Sequence, residues 1–261
     1  MNIFSIIGLI ISTFVFLVGL KLSSPNLAIF LDGPSAFIVL GGIFAATSVA
    51  FQLNKIGSLF KVFIFQFLSK SSVDIKKIIK NIMQICESHR SGESIEGLLT
   101  RAEDPFLKEA MQLIADGILD KDKSFIVLEQ RALQMNHLRK QDAQKIRSLS
   151  KFPPAFGMMG TTIGMIVLLA NLGTGAEAMK IIGPAMGVCL ITTLYGVAIA
   201  NLIIIPVSEN LLAMTSVLEL KNKIILEGIR HIMDKSNPVL VAEDLNSFLL
   251  PKDRLDWRSV T

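Results

Sequence analysis

The sequence predicts an all-α polytopic membrane protein with four transmembrane helices and a helical cytoplasmic domain. Three observations carry that class. First, four stretches lack any Asp, Glu, Lys or Arg: Met1–Leu20, Gly33–Asn54, Phe152–Ala176 and Ile181–Ser208. Each reaches the roughly 20 residues that cross a hydrocarbon core of about 30 Å as a helix, the form that satisfies the backbone within lipid. Second, 51% of residues are hydrophobic and 18% charged, with mean hydropathy +0.55, a charged share low for a soluble domain. Third, charge is segregated. Lys55–Lys151 holds 17 of the 26 Lys and Arg residues and the stretch after Pro206 holds seven, whereas the two short linkers hold only Lys21 and Lys180. Positive residues stay on the cytoplasmic side, so both termini and the central segment are expected inside and the two linkers outside. A pI of about 9.1 therefore needs no nucleic acid, and no basic patch with interleaved aromatics is present.

The elements follow in order. The first span is expected over 1–22, as a retained helix with no basic flank and no Ala-x-Ala site. Ser23-Ser24-Pro25-Asn26 opens an external linker, 23–33. The second span, 34–53, begins with proline in its first turn. A cytoplasmic helical domain covers 54–151. Within it Ile75, Ile78, Ile79, Ile82, Met83 and Cys86 recur at helical steps. His89–Glu93 breaks that helix, Pro105 opens another, and a charged helix over 124–150 runs to Pro153-Pro154. The third span is 152–174, an external linker 175–180, and the fourth span 181–208. The fourth has 28 uncharged residues, about 42 Å of helix, and must tilt or project, with a kink expected at Pro206. C-terminal helices occupy 209–261, interrupted at Asn237-Pro238. Cys86 and Cys189 fall in different compartments and lack metal-ligand spacing.

Candidate chemistry concentrates on the last two spans. Gly157, Gly160, Thr161 and Gly164 share one helix face. Ala185, Cys189, Thr192, Thr193, Gly196 and Ala200 form a counterpart. Small residues let helices approach closely in lipid, and hydroxyls bond across the interface; Thr161 and Thr193 also offer oxygens suited to a hard cation such as Na+. No span contains an ionisable side chain, although ion relays need one. A relay through this chain therefore requires a carboxylate from another. His89, His137 and His231 have no metal or nucleophile partner at recognisable spacing, and no phosphate loop or nucleophile elbow occurs. An enzyme is not expected. Arg90, Glu93 and Glu96 form a charged cluster between helices, a solvated patch or a docking surface.

The stretch Ile181–Leu212, with Gly183-Pro184-Ala185-Met186, Thr192-Thr193-Leu194-Tyr195-Gly196 and Pro206, resembles the fourth span of the MotA/PomA stator subunits of the bacterial flagellar motor. Pro153–Met165 resembles their third span, Phe30–Gly42 their external loop and second span, Pro105–Gly117 their cytoplasmic domain and Asn237-Pro238 their C-terminal region. The resemblance is collinear over nearly the whole chain. It implies a multi-pass protein of the bacterial inner membrane. It implies a homo-oligomer, a pentamer, around a dimer of a MotB/PomB-like subunit whose single span supplies the intramembrane aspartate. It implies cation influx, Na+ favoured over H+, coupled to torque on the rotor protein FliG, with no other cofactor. Carried over by residue, the ion path comprises Thr161, Thr193, Pro154, Pro206 and Asp32, with Gly157, Gly160, Gly164 and Gly196 packing the helices. Two departures stand. The family's rotor-contact motif has Glu five residues after its Gly; here Gly97 occupies that place after Gly92, so the contact falls to Arg90 and Glu96, one residue out of register. The acidic residue many relatives carry before the third span is Lys151. A TolQ/ExbB-like subunit energising envelope transport shares the last two spans but generally has three, with an external N-terminus.

Overall fold

The computed structural model describes residues 3–51, 57, 73–172 and 178–256, and among them all regular structure is helical. It divides into two compact units, Met1–Ser71 with Gln141–Ala213, and Ser72–Lys140 with Met214–Thr261.

The first unit is the apolar one. Helix α1 covers Ile3–Ser23. A 3-10 turn, Leu27–Phe30, leads to α2, Gly33–Ala36, a π turn, Phe37–Gly41, and α3, Gly42–Ala50. Asp32 starts α2 because its carboxylate accepts the Ser35 backbone N–H at 2.8 Å, satisfying an N–H that the helix itself leaves open, while Pro34 fits the first turn. The helix stops at Ala50, where Phe51 turns extended, short of the expected end at 53; residues 52–56 lie outside the described part. The end of α7, Lys121–Leu149, then leads into α8, Phe152–Asn171. Helix α9, Ala178–Ala198, starts three residues before the expected 181. It continues through a π turn, Ile199–Ile204, into α10, Ile205–Asp234. Pro206 therefore does not end the helix. A π turn lies directly ahead of it, with the Ile205 N–H reaching back to the Ala200 carbonyl; prolines and π turns are both places where helices bend.

Three helical runs, Leu27–Ala50, Lys121–Asn171 and Lys180–Asp234, are long and apolar enough to cross a membrane, and α1 adds a shorter apolar run, Ile7–Ser23. Large apolar side chains such as Ile10, Phe14, Phe37, Val49 and Leu190 stand exposed on these helices, the reverse of a water-soluble surface.

The second unit is built around one apolar core. Ile79, Ile82 and Ile85 come from α4, Ile75–Arg90; Leu98 from α5, Ile95–Leu98; Phe106, Leu107 and Met111 from α6, Pro105–Ala115. Leu128 comes from α7, Ile224, Ile225, Ile229 and Ile232 from α10, and Val241 and Leu245 from α11, Pro238–Asn246. Side chains cap the starts: Asp74 for α4, Ser94 for α5, Asp104 for α6 and Asn237 for α11. The expected break after α4 is real. Gly92 has φ +106°, a conformation that other residues adopt only at a cost. Gly228 of α10 lets Ile82 of α4 approach so closely that an added Cβ would sit 2.6 Å from it.

Candidate functional site

The face predicted on α8 meets the face predicted on α9. Gly157, Gly160 and Gly164 are buried, and each lies against α9. A Cβ on Gly157 would stand 3.0 Å from the Thr192 carbonyl, and one on Gly164 2.6 Å from Cys189 Sγ. On Gly160 it would collide with the Thr192 side chain, and on Gly196 with the Pro153 carbonyl, beside Pro154. Real Cβ contacts begin well beyond such distances, so the two backbones touch because these residues are glycines.

That closeness builds an oxygen cluster. Thr161 Oγ1 and Thr193 Oγ1 are 2.6 Å apart. Thr161 Oγ1 also lies 2.9 Å from the Cys189 carbonyl and 3.1 Å from the Gly157 carbonyl, and Thr193 Oγ1 lies 3.2 Å from the Cys189 carbonyl. Each hydroxyl has one proton, so these bonds cannot all exist at once and the threonines share acceptors. Rotation of either hydroxyl leaves lone pairs free beside two carbonyls, a donor set that suits a hard cation. Thr193 is exposed and Thr161 half-buried, so the cluster opens away from the α8–α9 contact. Thr192, one residue before Thr193, is fully buried and donates to the Val188 carbonyl at 2.7 Å. It serves packing. The Cys189 thiol donates back to the Thr161 carbonyl at 3.2 Å.

Asp32 joins this region through a residue quoted in the sequence motif but given no role there. The Tyr195 hydroxyl donates to the Phe30 carbonyl and accepts the Asp32 backbone N–H at 3.2 Å. The Asp32 carboxylate in turn accepts from the fully buried Ser35, through both its N–H and its hydroxyl. Tyr195 is two residues from Thr193 on α9. The loop carrying Asp32 thus meets α9 beside the threonine turn, about 15 residues or about 22 Å along from Lys180 near the start of that helix. The resemblance puts Asp32 near the outer ion entrance; its tie to Tyr195 is not visible in the sequence. Pro154 lies in the first turn of α8 against Gly196. Pro206 is not brought to the cluster. It lines a cavity of about 380 Å³ with Gly8, Leu9 and Ser12 of α1.

In the second unit, Arg90 and Glu96 are both exposed, and among the described residues neither holds an ion pair. Glu93 pairs instead with Arg101 at 3.1 Å, and Arg101 also donates to Ser88 Oγ at 2.8 Å. Sequence reasoning missed that partner because it lies beyond α5. His231 sits at the interface between two helices. It is buried, with Nε2 2.8 Å from Asp244 and Nδ1 3.0 Å from Ser236 Oγ, tying α10 to α11. Glu227, His231 and Asp244 bring possible metal-ligand atoms within 4.8 Å of one another. Arg230 already binds Glu227 at 2.7 Å, so the group reads as an ion-paired junction. Burial alone pushes the Cys86 thiol up to about 12, which leaves it an unreactive core residue. The Glu103 carboxylate, by hydrogen bond and charge, raises Lys77 above the ordinary lysine range; Lys76 lowers Asp253 in the same way.

Residues 99–243 match the MotA/TolQ/ExbB proton channel family. Over 261 residues the chain is 32% identical to Motility protein A of Borreliella burgdorferi, covering 99% of this chain and 98% of that one. It is 26% identical to the chemotaxis protein PomA of Vibrio alginolyticus, covering 95% and 96%. Its fold is that of a chain in the solved flagellar MotAB stator complex from Bacillus subtilis, with TM-score 0.84, 20% identity and coverage of 96% and 97%.

Proposed function

This chain belongs to the MotA/TolQ/ExbB proton channel family, and from that premise we propose that it is the channel-forming A subunit of a flagellar-motor stator, a coupling protein rather than an enzyme. The carrying observation is end-to-end similarity to a motility protein A. It includes the α1–α3 hairpin, which lies outside the family's common segment, 99–243, and which separates this reading from a TolQ/ExbB-like role. The chain acts as a multi-pass protein of the inner membrane. Helix α1 is the first of four spans, completing the set begun by the three longer runs, both termini are cytoplasmic, and the division at residues 22, 33, 53, 151, 174, 180 and 208 marks spans and linkers. Several copies, as a pentamer, surround a dimer of a MotB/PomB-like subunit that supplies the aspartate missing here. FliG is the rotor target, with Arg90 and Glu96 on the contacting surface.

The driving ion is Na+, with H+ as the alternative. The Thr161–Thr193 separation of 2.6 Å, with carbonyls at both sides, supports a site where hydroxyls replace part of a cation's water shell. Asp32 concentrates cations near it, since an acidic group beside a narrow path raises local cation concentration. Pro154 and Pro206 bound the inner part of the path.

The test is complementation. The gene for this chain, with that of a single-span partner carrying an intramembrane Asp, replaces the stator genes of a motile host. Swimming is expected to return, to rise with external Na+ at fixed pH, and to fail when that Asp is replaced by Asn. Rotation unaffected by sodium but abolished by a protonophore rejects the sodium assignment. No rotation, with both proteins present in the membrane, rejects the stator reading.

A further inference from the structure

We infer that Tyr195 is a positioning residue for Asp32, holding the external acid beside the turn of α9 that carries the threonine oxygens. This rests on the channel reading above and assigns a task to a residue that reading leaves unused.

Tyr195 is the only tyrosine in the chain. Its hydroxyl makes two bonds to backbone 163 and 165 positions away, accepting from Asp32 N–H and donating to the Phe30 carbonyl. These groups flank the junction between the 3-10 turn Leu27–Phe30 and α2. One hydroxyl therefore fixes both sides of Leu31, a residue 80% exposed with little packing of its own. The Asp32 carboxylate is then aimed by Ser35, through its N–H and its hydroxyl. Ser35 is fully buried, so the carboxylate cannot swing freely. Together these contacts restrain the acid against α9 at Tyr195, on the turn that carries Thr193 but on a face rotated about 200° from it.

A carboxylate acts on a cation through distance and through the low dielectric around it. Loosening the loop moves the acid towards bulk water, where its attraction is screened. The expected consequence is weaker capture of the driving ion, with no change in the step that follows capture. A phenyl ring fills the same space as the phenol, so Tyr195→Phe removes the two bonds and little else.

The experiment uses the whole chain with its single-span partner in a stator-less host. Swimming speed is read against external NaCl, with KCl holding ionic strength; a proton-driven motor is read against external pH instead. Tyr195→Phe is expected to raise the half-saturating cation concentration about fivefold, the size of one lost net hydrogen bond, with maximal speed and membrane abundance unchanged. In an Asp32→Asn background, Tyr195→Phe is expected to add nothing further. A fall in maximal speed at unchanged half-saturation, or full additivity of the two shifts, overturns the inference while leaving the channel reading standing. Wild type that cannot rotate the motor overturns the channel reading instead. A second readout needs no rotation. Hydrogen exchange of the loop amides in the purified complex is expected to speed up at Asp32 in Tyr195→Phe; unchanged protection there overturns the proposed clamp.

Discussion

Replacing Gly160 by Ala adds one methyl group at one of the two tightest points between α8 and α9. The new Cβ would have Cβ and Oγ1 of Thr192 at 2.5 and 2.6 Å, with Cγ2 closer still. Ordinary contact starts near 3.4 Å, so something must retreat by about 1 Å. Thr192 is poorly placed to do so. It is fully buried, and its hydroxyl is bonded to the Val188 carbonyl at 2.7 Å. The helices must therefore part, at about 1–3 kcal/mol for an overpacked site. Cys189 reports the parting. It is buried against Gly164, one turn from Gly160. In a Cys86→Ser background, a small membrane-permeant thiol reagent is expected to label Cys189 about ten times faster in Gly160→Ala, since about 1.4 kcal/mol is a factor of ten. The control is Gly187→Ala on α9, where an added Cβ meets nothing within 4 Å; its labelling should equal wild type. Equal labelling rates in Gly160→Ala, Gly187→Ala and wild type would refute the reasoning that glycine here serves contact between backbones.

Three further outcomes are expected. Thr161→Val should fold, because Thr193 still serves the Cys189 carbonyl, at a cost of about 1 kcal/mol in detergent melting, and should blunt the sodium dependence of swimming. Lys221 and Asp104 form an ion pair at 2.8 Å with side chains only 11% and 12% exposed; Lys221→Met should lower stability by about 3 kcal/mol by stranding the acid, and adding Asp104→Asn should restore much of it. Cys86, with its thiol raised to about 12, should resist alkylation at pH 8 until the second unit unfolds, so its labelling midpoint in urea should coincide with loss of helix by circular dichroism.

Periodicity and charge made most elements legible. Pro105 and Asn237-Pro238 mark helix starts because prolines and caps act locally, within one turn; the caps Asp74 and Asp104 went unread. The glycine and threonine faces were legible for the same reason, since a single helix fixes which residues share a side. What depended on partners distant in sequence was not. Arg101 reaches Glu93 around α5, and the Tyr195–Asp32 bond spans 163 residues. Around Pro206 the local irregularity was legible but its form was not: a π turn, Ile199–Ile204, lies ahead of the proline and the helix runs on to Asp234. The end of the second helix at Ala50 rather than 53 turns on Phe51, an apolar residue that packs against Ala143, Ile146 and Leu211 and carries no stop signal.

The depth at which the Asp32 loop meets α9 also bears on the life of an unassembled copy. The turns of α8 and α9 on the Lys180 side of that loop carry Ile166, Leu169, Leu172 and Met186, each at least half exposed. A lone chain would leave this apolar surface without the partner and sister copies that cover it, the kind of surface that promotes association. Copy number should then be set by companions and not by synthesis: surplus chains are expected to be short-lived, and a pulse-chase of the chain made alone, against the chain made with its partner, measures assembly as a half-life.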